Sequence, residues 1–243
     1  MRDVRPLALT APMLLEIWER GASWHPIDRA LLVLSNAYPQ CVPEQLRETA
    51  LGERDALLLK ARQCAFGDRL DAYVECPACA ERHEFSLSCE TLLSGSTALP
   101  HSARMLTLDG IEWQLRLPTS VDLAAVADYE SRAAVEALLA RCVERADGEA
   151  IVWSEALRVA LVAELAVLDP RAEIQIELTC QRCEHVWLSV FDIAAFFWCE
   201  IRSRARRLLQ EIDVLARCYG WSESEILQMS DTRRGLHVQM ALS

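Results

Sequence analysis

Val74-Glu75-Cys76-Pro77-Ala78-Cys79 and Leu178-Thr179-Cys180-Gln181-Arg182-Cys183 are the two stretches around which this sequence is organised. In each, a Cys-x-x-Cys turn lies between runs that alternate apolar and polar residues, which predicts a strand, a turn and a second strand. We call each such unit a knuckle. One turn directs two thiolates at the same point, and two turns complete the four-sulfur ligand set of a structural zinc ion. The sequence therefore predicts a structural Zn²⁺ bound by Cys76, Cys79, Cys180 and Cys183.

Three other uses of these cysteines stay open on the sequence alone: disulfide bonds, a redox dithiol, and thiols that pack without a metal. Zinc is favoured because a redox Cys-x-x-Cys motif opens a helix after a strand, whereas both knuckles continue into another strand. The 100 residues between Cys79 and Cys180 far exceed the roughly 15 to 20 residues of a zinc ribbon, so the intervening segment must bring the knuckles together. An ion with four cysteine ligands has no open coordination position, and we expect it to close a long loop and add folding free energy.

Each knuckle is followed by a histidine and an aromatic residue in the same order, His83 with Phe85 and His185 with Trp187. Either histidine could replace or orient a cysteine ligand, but with four cysteines present we expect a supporting or surface position for both. The match between the two segments is short. It therefore indicates two halves of one site rather than an internal duplication.

Composition and charge indicate a globular intracellular protein. The chain has 243 residues, of which 52% are apolar and 25% charged, and its net charge of −11 argues against binding nucleic acid by neutralising phosphates. We identify no cleavable signal, and the apolar stretch from Val186 to Cys199 is too short to span a bilayer, so we expect a cytoplasmic protein without membrane contact. In a reducing cytoplasm the remaining cysteines are expected to be buried thiols. They are Cys41, Cys64, Cys89, Cys142, Cys199 and Cys218.

The periodicity of apolar residues predicts an α+β fold that is mostly helical, with short antiparallel strands and a two-knuckle, zinc-ribbon-like four-cysteine site. We divide the chain into an N-terminal helical unit at residues 1–69, knuckle strands with an inserted hairpin and helices at 70–190, and a long helix with two short helices at 191–243. The further predictions are a hairpin around Asp109-Gly110, a helix pair over 121–146, a loop over 91–102 and a long helix from Asp192 to Tyr219.

The segment Arg202-Ser203-Arg204-Ala205-Arg206-Arg207 is the densest positive patch in this acidic sequence. A solvated helix face is the ordinary role of such a run, and a contact with a partner is the alternative. As a hypothesis, the C-terminal helices combine arginine, aromatic and apolar anchors into a partner surface. The residues of that surface would be Arg202, Arg206, Trp221, Ile226 and Leu227.

The sequence carries none of the short motifs that mark common catalytic sites. We find no Gly-x-Gly-x-x-Gly or Walker-type loop, no Gly-x-Ser-x-Gly elbow and no His-Glu-x-x-His helix. We therefore predict no catalytic residues and a non-enzymatic protein. The competing classes are a zinc-ribbon protein that binds nucleic acid, which the net charge disfavours, and an enzyme with a cysteine nucleophile, which requires a thiol with a depressed pKa.

A last pattern runs through most of the chain as an ordered series of short segments. They are Leu14-Leu15-Glu16-Ile17-Trp18-Glu19-Arg20-Gly21, His25-Pro26-Ile27-Asp28-Arg29-Ala30-Leu31, Leu51-Gly52-Glu53-Arg54-Asp55 leading to Phe66-Gly67, the first knuckle, Leu117-Pro118-Thr119 with Asp122-Leu123, and Tyr219-Gly220-Trp221-Ser222-Glu223 leading to Ile226-Leu227. This series resembles the baseplate hub assembly chaperone family of T-even-like phages, whose relatives occur with contractile tails and extracellular contractile injection systems.

The resemblance implies a non-enzymatic protein that helps to assemble the central hub and spike of a baseplate by holding a hub subunit until its neighbours arrive. Its partners would be baseplate hub or spike proteins. A structural baseplate component is the alternative role within the same kind of system.

Overall fold

The structure, a computed structural model, describes residues 4–94 and 104–243. Within these ranges helices dominate and the strands are short. The helices are α1 (Ala11–Gly21), α2 (Pro26–Ala37), α3 (Pro43–Arg47), α4 (Leu51–Phe66), α5 (Cys89–Ser94), α6 (Ser120–Ala125), α7 (Ser131–Cys142), α8 (Glu155–Leu168), α9 (Ile193–Tyr219), α10 (Glu223–Leu227) and α11 (Asp231–Ala241). The strands are β1 (Arg69–Glu75), β2 (Arg82–Ser88), β3 (Arg104–Leu108), β4 (Ile111–Leu115), β5 (Val143–Arg145), β6 (Ile174–Thr179) and β7 (Val186–Phe191).

The strands form small antiparallel sheets. β1 pairs with β2, and β6 pairs with β7, so each knuckle is a hairpin whose Cys-x-x-Cys turn lies at the tip. β4 lies between β3 and β5 in a separate sheet, and the hairpin predicted at Asp109-Gly110 connects β3 to β4. The structure confirms the predicted α+β fold, mostly helical with short antiparallel strands.

The larger core is built by α9 against α1, α2 and α4. Helix α9 begins where the Asp192 carboxylate accepts a hydrogen bond from Ala195 N at 3.0 Å, and it ends at Gly220, whose φ of 69° is left-handed. Both ends agree with the prediction. The buried residues of α9 recur every three or four positions, which places them in one stripe along the helix. They include Ile193, Phe197, Ile201, Ala205 and Leu208.

Residues 1–69 and 191–243 therefore contribute to the same core. The first and last of the predicted segments are joined by packing, although they lie at opposite ends of the chain. The three-part division into domains stays a prediction.

The smaller core lies between the sheet of β3, β4 and β5 and the helices α7 and α8. β5 corrects the predicted helix pair, because α7 ends at Cys142 and the next three residues pair with β4, with Leu115 opposite Val143. A strand of three residues depends on its partner strand, and the partner precedes it by two helices, so no local pattern marks it. The buried residues of this core are Trp113, Leu115, Leu139, Cys142, Val143, Leu161 and Leu168.

The two cores meet at the N-terminus of α4. Asp169, directly after α8, accepts a hydrogen bond from Gly52 N at 2.8 Å, and Leu51 N donates to the carbonyl of Pro118 at 3.1 Å. The first N–H groups of a helix have no partner within the helix, so the Asp169 carboxylate caps α4 from outside the larger core. Position 52 accepts only glycine here, because an added Cβ would lie 1.9 Å from Asp169 Oδ1.

The loop predicted over 91–102 also needs correction. α5 extends to Ser94, so the first four residues of that segment are helical. Apolar Leu92 and Leu93 pack against the larger core, which favours a helix over an open loop. The rest of the predicted loop lies outside the described residues.

All six remaining cysteines were predicted to be buried, and the prediction is correct for two of them. Cys89 and Cys142 are buried, and Cys41 is half-buried. The other three cysteines lie on amphipathic helices, and such a helix packs only one stripe of its residues against the core. Cys64 on α4 and Cys199 and Cys218 on α9 lie outside that stripe and face solvent, so the prediction of burial is wrong for these three.

Candidate metal centre

The two knuckles adopt the same local backbone. In the first, Ala80 N donates to Cys76 O at 2.9 Å and Cys76 N donates to Glu81 O at 2.8 Å. In the second, Glu184 N donates to Cys180 O at 2.9 Å, and the N–H of Cys180 donates to the carbonyl of His185 at 2.8 Å. The residue after each second cysteine is left-handed, with φ of 57° at Ala80 and 58° at Glu184. A non-glycine residue adopts that conformation at a cost, so both hairpins use the same strained turn to direct their thiols.

The structure brings the four predicted ligands to one point. Cys76 Sγ lies 3.7 Å from Cys183 Sγ, Cys79 Sγ lies 3.6 Å from Cys180 Sγ, and all four sulfurs lie within 4.8 Å of one another. Four thiolates bound at ~2.3 Å around a tetrahedral zinc ion would be about 3.8 Å apart. A disulfide needs sulfurs about 2.05 Å apart, and all ten cysteines are free. The cluster can hold a metal ion, and its dimensions fit zinc.

The environment of Cys180 favours the thiolate, which is the form that binds metal. Burial opposes ionisation of this thiol, but hydrogen bonds from the backbone N–H groups of Cys183 and Arg182, together with those from the Cys183 and Cys79 thiols, lower the pKa of Cys180 to about 6. The N–H of Cys183 lies 3.4 Å from Cys180 Sγ. Cys76 and Cys180 are buried, whereas Cys183 is exposed, so the cluster lies under one side of the hairpin pair and opens to solvent on the other.

The two histidines differ in their relation to the cluster. His83 Nε2 lies 3.2 Å from Cys180 Sγ, which is the supporting position expected on the sequence. His185 instead stacks on Trp187 with the ring centroids 6.0 Å apart, and its backbone carbonyl is what contacts the cysteine loop. A ring N–H donated to a thiolate disperses its charge, so His83 is placed to support a four-thiolate site.

A salt bridge connects the tips of the two knuckles. Arg182 Nη1 lies 3.0 Å from Glu81 Oε2, and both side chains are well exposed. An exposed pair of this kind contributes little stability. The salt bridge therefore adds little to the tie that a metal ion in the cysteine cluster would make.

The residues of the predicted partner surface do not form one compact patch. Arg202 and Arg206 are exposed on α9, but Trp221 stacks on Tyr219 at the end of that helix, with the ring centroids 4.5 Å apart. Thirteen residues of helix separate Arg206 from Tyr219, which is about 20 Å. Trp221 therefore lies too far away to share a contact point with the arginines.

Ile226 needs a correction within that set. It is completely buried, because α10 packs its apolar side on α9, so it supports the surface from below and offers nothing to a partner. Leu227 is half-buried and packs against the larger core. Trp221 is half-buried as well, with its other contact an edge-to-face ring pair with His237.

The sequence did not reveal that the Asp122 carboxylate is buried between two arginines. Its carboxylate accepts hydrogen bonds from Arg116 at 2.7 and 2.8 Å, from Arg141 Nε at 2.9 Å and from Thr119 N at 3.0 Å. The Thr119 and Asp122 pair was readable as a helix start, and the structure contains that capping box. Arg116 lies between β4 and α6, and Arg141 lies in α7, so only the folded structure shows that both bind Asp122.

Comparison with family models gives the identity of the chain at the family level. Residues 30–198, well over half of the chain, match the model described as T4 bacteriophage base plate protein. The chain belongs to the T4 bacteriophage base plate protein family. The range matched by the base plate family starts in α2 and ends in α9, so it includes both knuckles and the whole smaller core.

Membership in the base plate family confirms the resemblance to phage baseplate proteins. The narrower resemblance to hub assembly chaperones stays a prediction that rests on the segments quoted above, two of which, Leu14–Gly21 and Tyr219–Leu227, lie outside the matched range. Comparisons with curated proteins and with solved structures found no match. No helix in residues 4–94 and 104–243 has the length and apolar character needed to cross a bilayer.

Proposed function

We propose that this base plate family protein is a non-enzymatic assembly protein, a chaperone for the hub or spike of a contractile phage tail-like or injection system. The observation that carries the proposal is the base plate family match over residues 30–198. An assembly role acts in the cytoplasm before the particle is complete, and its partners are baseplate hub or spike proteins.

A structural zinc ion is the second part of the proposal. Cys76, Cys79, Cys180 and Cys183 would hold the ion, with His83 supporting Cys180. A zinc ion with four thiolate ligands supplies no open position for a substrate, so its contribution is to folding. The ion would close the chain between hairpins that are 100 residues apart and fix the smaller core relative to the larger one.

A structural base plate component is the second candidate, because the family description names a base plate protein without restriction to assembly. The two roles differ in one observable. A chaperone leaves before the particle is complete, whereas a component stays at fixed stoichiometry. Binding to nucleic acid has less support, since a net charge of −11 repels phosphates.

The experiment is co-expression of the chain with hub and spike proteins of a contractile tail-like system from the same genome. We expect the soluble yield of a hub protein to rise when the chain is present and purified particles to lack it. Presence of the chain in every purified particle would favour the structural component. Hub yields that are unchanged, together with absence from particles, would contradict both roles.

The variants for this experiment follow from the fold. Truncation before Asp192 would remove α9, whose buried face completes the larger core, so lost binding would report unfolding. Point variants that leave α9 in place avoid that ambiguity. Arg202→Glu and Trp221→Ala test the two separated parts of the predicted partner surface one at a time, with circular dichroism to verify the fold.

A further inference from the structure

A basic cleft lies between the C-terminal end of α4, strand β1 and the middle of α9. Its volume is about 500 Å³. Arginines from all three elements line it, which is unusual in a protein whose net charge is −11. The charged side chains that line it are Arg62, Arg69, Arg204, Arg207, Asp71 and Glu200.

The inner arginine of this cleft is held in place. Arg62 is buried and donates to Glu200 at 2.6 and 2.9 Å and to the carbonyl of Gly67 at 2.7 Å. At the α9 wall, Arg204 pairs with Glu211 and Asp231 and is mostly covered. These pairs hold two guanidinium groups in place and balance their charge, so the inner part of the cleft is pre-organised and its free positive charge lies at the mouth.

The outer arginines are available to a ligand. Arg69 is exposed, and its contact is an ion pair with exposed Asp71 at 2.7 Å, which contributes little and is readily exchanged. Arg207 is exposed and has no hydrogen-bond or ion-pair partner within residues 4–94 and 104–243. The mouth of the cleft therefore presents one guanidinium group, Arg207, whose charge the described chain leaves unpaired, and a second, Arg69, whose ion pair with Asp71 is exposed to solvent.

A second cleft adjoins the basic cleft over the first knuckle, and its lining contains two arginines and two carboxylates. Arg69 and Asp71 also line this second cleft of about 550 Å³ over the β1–β2 hairpin. There the Arg82 guanidinium lies 3.9 Å from the centre of the exposed Tyr73 ring, a cation–π contact. The two clefts share residues, so an extended ligand could occupy both.

We propose that this cleft binds an acidic segment of a partner protein, with carboxylates on Arg207 and Arg69 at the mouth. Guanidinium groups recognise carboxylates through paired hydrogen bonds, and a partner of opposite charge is favoured at a basic site. A nucleic acid fits less well. The acidic remainder of the molecule repels a polyanion that extends beyond the site, whereas a short acidic segment can stay within it.

The proposal goes beyond the assembly role, because it assigns a site and a ligand chemistry and would hold equally for a structural component. It also differs from the partner surface predicted on the sequence. Arg69 and Arg207 were not in that set, and the cleft brings them together from segments that are more than a hundred residues apart.

The test is fluorescence anisotropy of the full-length protein with a labelled oligoglutamate peptide at low salt. Oligoglutamine and oligothymidine serve as matched neutral and nucleic-acid probes. We expect the oligoglutamate to bind, the oligoglutamine not to bind, and Arg207→Glu to weaken binding about tenfold. Arg217→Glu is the control, since it makes the same charge change at an exposed position of the same helix and is expected to weaken binding less than about twofold.

Arg207→Gln, which neutralises the side chain without reversing its charge, should give an intermediate loss. Circular dichroism verifies that each variant is folded, as expected for a substitution at an exposed position. Equal weakening by Arg207→Glu and Arg217→Glu would show attraction to net charge and overturn the proposal. Tighter binding of oligothymidine than of oligoglutamate, or no binding of oligoglutamate, would overturn it as well.

Discussion

At the scale of single residues, Asp122 shows how a charge can organise a core. Its side chain is almost completely buried, and two arginines and the Thr119 cap satisfy it. Burial alone would raise the pKa of Asp122, but hydrogen bonds from Arg116 and Thr119 hold that pKa far below its usual range. The carboxylate is therefore more acidic in the folded chain than in the unfolded one. It contributes stability above the unfolded pKa of about 3.9, and that stability is lost as the pH falls.

Replacement of Asp122 by Asn is expected to lower the free energy of unfolding by roughly 2–3 kcal/mol at pH 7, because it leaves two guanidinium groups without their anion. The gap between the variant and the original protein should narrow as the pH falls below about 4, where the unfolded carboxyl is protonated. Urea denaturation at several pH values measures both effects. Asp147→Asn is the control, since it also removes a carboxylate paired with an arginine, but at an exposed turn. An equal loss in the two variants would contradict the special role of Asp122.

Gly52 supports a second prediction for a single residue. Gly52→Ala would force the Asp169 carboxylate away from the α4 N-terminus and remove the hydrogen bond to Gly52 N, so we expect a loss of roughly 2–4 kcal/mol in unfolding free energy. Gly235→Ala is the matched control within α11, because an added Cβ there meets nothing within 4 Å. Alanine should be neutral or stabilise α11 by about 0.5–1 kcal/mol. Similar unfolding curves for the two variants would argue against the Asp169 cap.

At the scale of whole elements, α11 is attached to α9 through a buried arginine. Arg234 is completely buried and donates to Glu211 of α9 at 2.5 Å, to Asp231 at 2.6 Å and to the carbonyl of Met229 at 3.1 Å. Arg234→Ala would leave the Glu211 carboxylate without this partner and open a cavity. We expect α11 to detach and become sensitive to protease at a concentration that spares the original protein.

The control for this prediction is Arg217→Ala, which removes an exposed α9 arginine paired with Asp213 and should change stability by less than about 0.5 kcal/mol. Hydrogen exchange locates the effect along the chain. Faster exchange confined to residues 231–241 is the expected result. Unchanged protection in that range would contradict the attachment of α11 through Arg234.

The elements also show which structural features a sequence can reveal. Helix α9 was predicted with both its ends correct, because Asp192 caps the start and Gly220 marks the end within a few residues of the apolar stripe. β5 was missed because it is a strand only through pairing with β4. The same contrast holds in the site. The Cys-x-x-Cys spacing is local and predicted all four ligands, whereas the contact between Asp169 and Gly52 joins residues that are 117 positions apart.

At the scale of the whole molecule, the cysteine cluster closes the segment that contains the smaller core. The first knuckle follows α4 and the second leads into α9, so both hairpins are attached to helices of the larger core. The smaller core lies between them along the chain. Its described contacts with the larger core include the Asp169 cap, and the four sulfurs join the two hairpins that flank the inserted segment along the chain. The sequence predicted that the two knuckles meet, and the structure places their four sulfurs together.

Removal of the metal tests this closure, and the expected loss in unfolding free energy follows from the conformational entropy of the chain. Fixing the ends of a 100-residue loop is worth on the order of 4 kcal/mol. Purified protein should contain about one zinc ion per chain by elemental analysis, and a strong chelator should lower the unfolding free energy by a comparable amount. Cys76→Ser should reproduce that loss and abolish zinc retention, whereas Cys199→Ser, which changes an exposed cysteine outside the cluster, should do neither. A zinc-free protein with the unfolding curve of the untreated sample would contradict the structural zinc, because closure by four thiolates requires an ion to hold them.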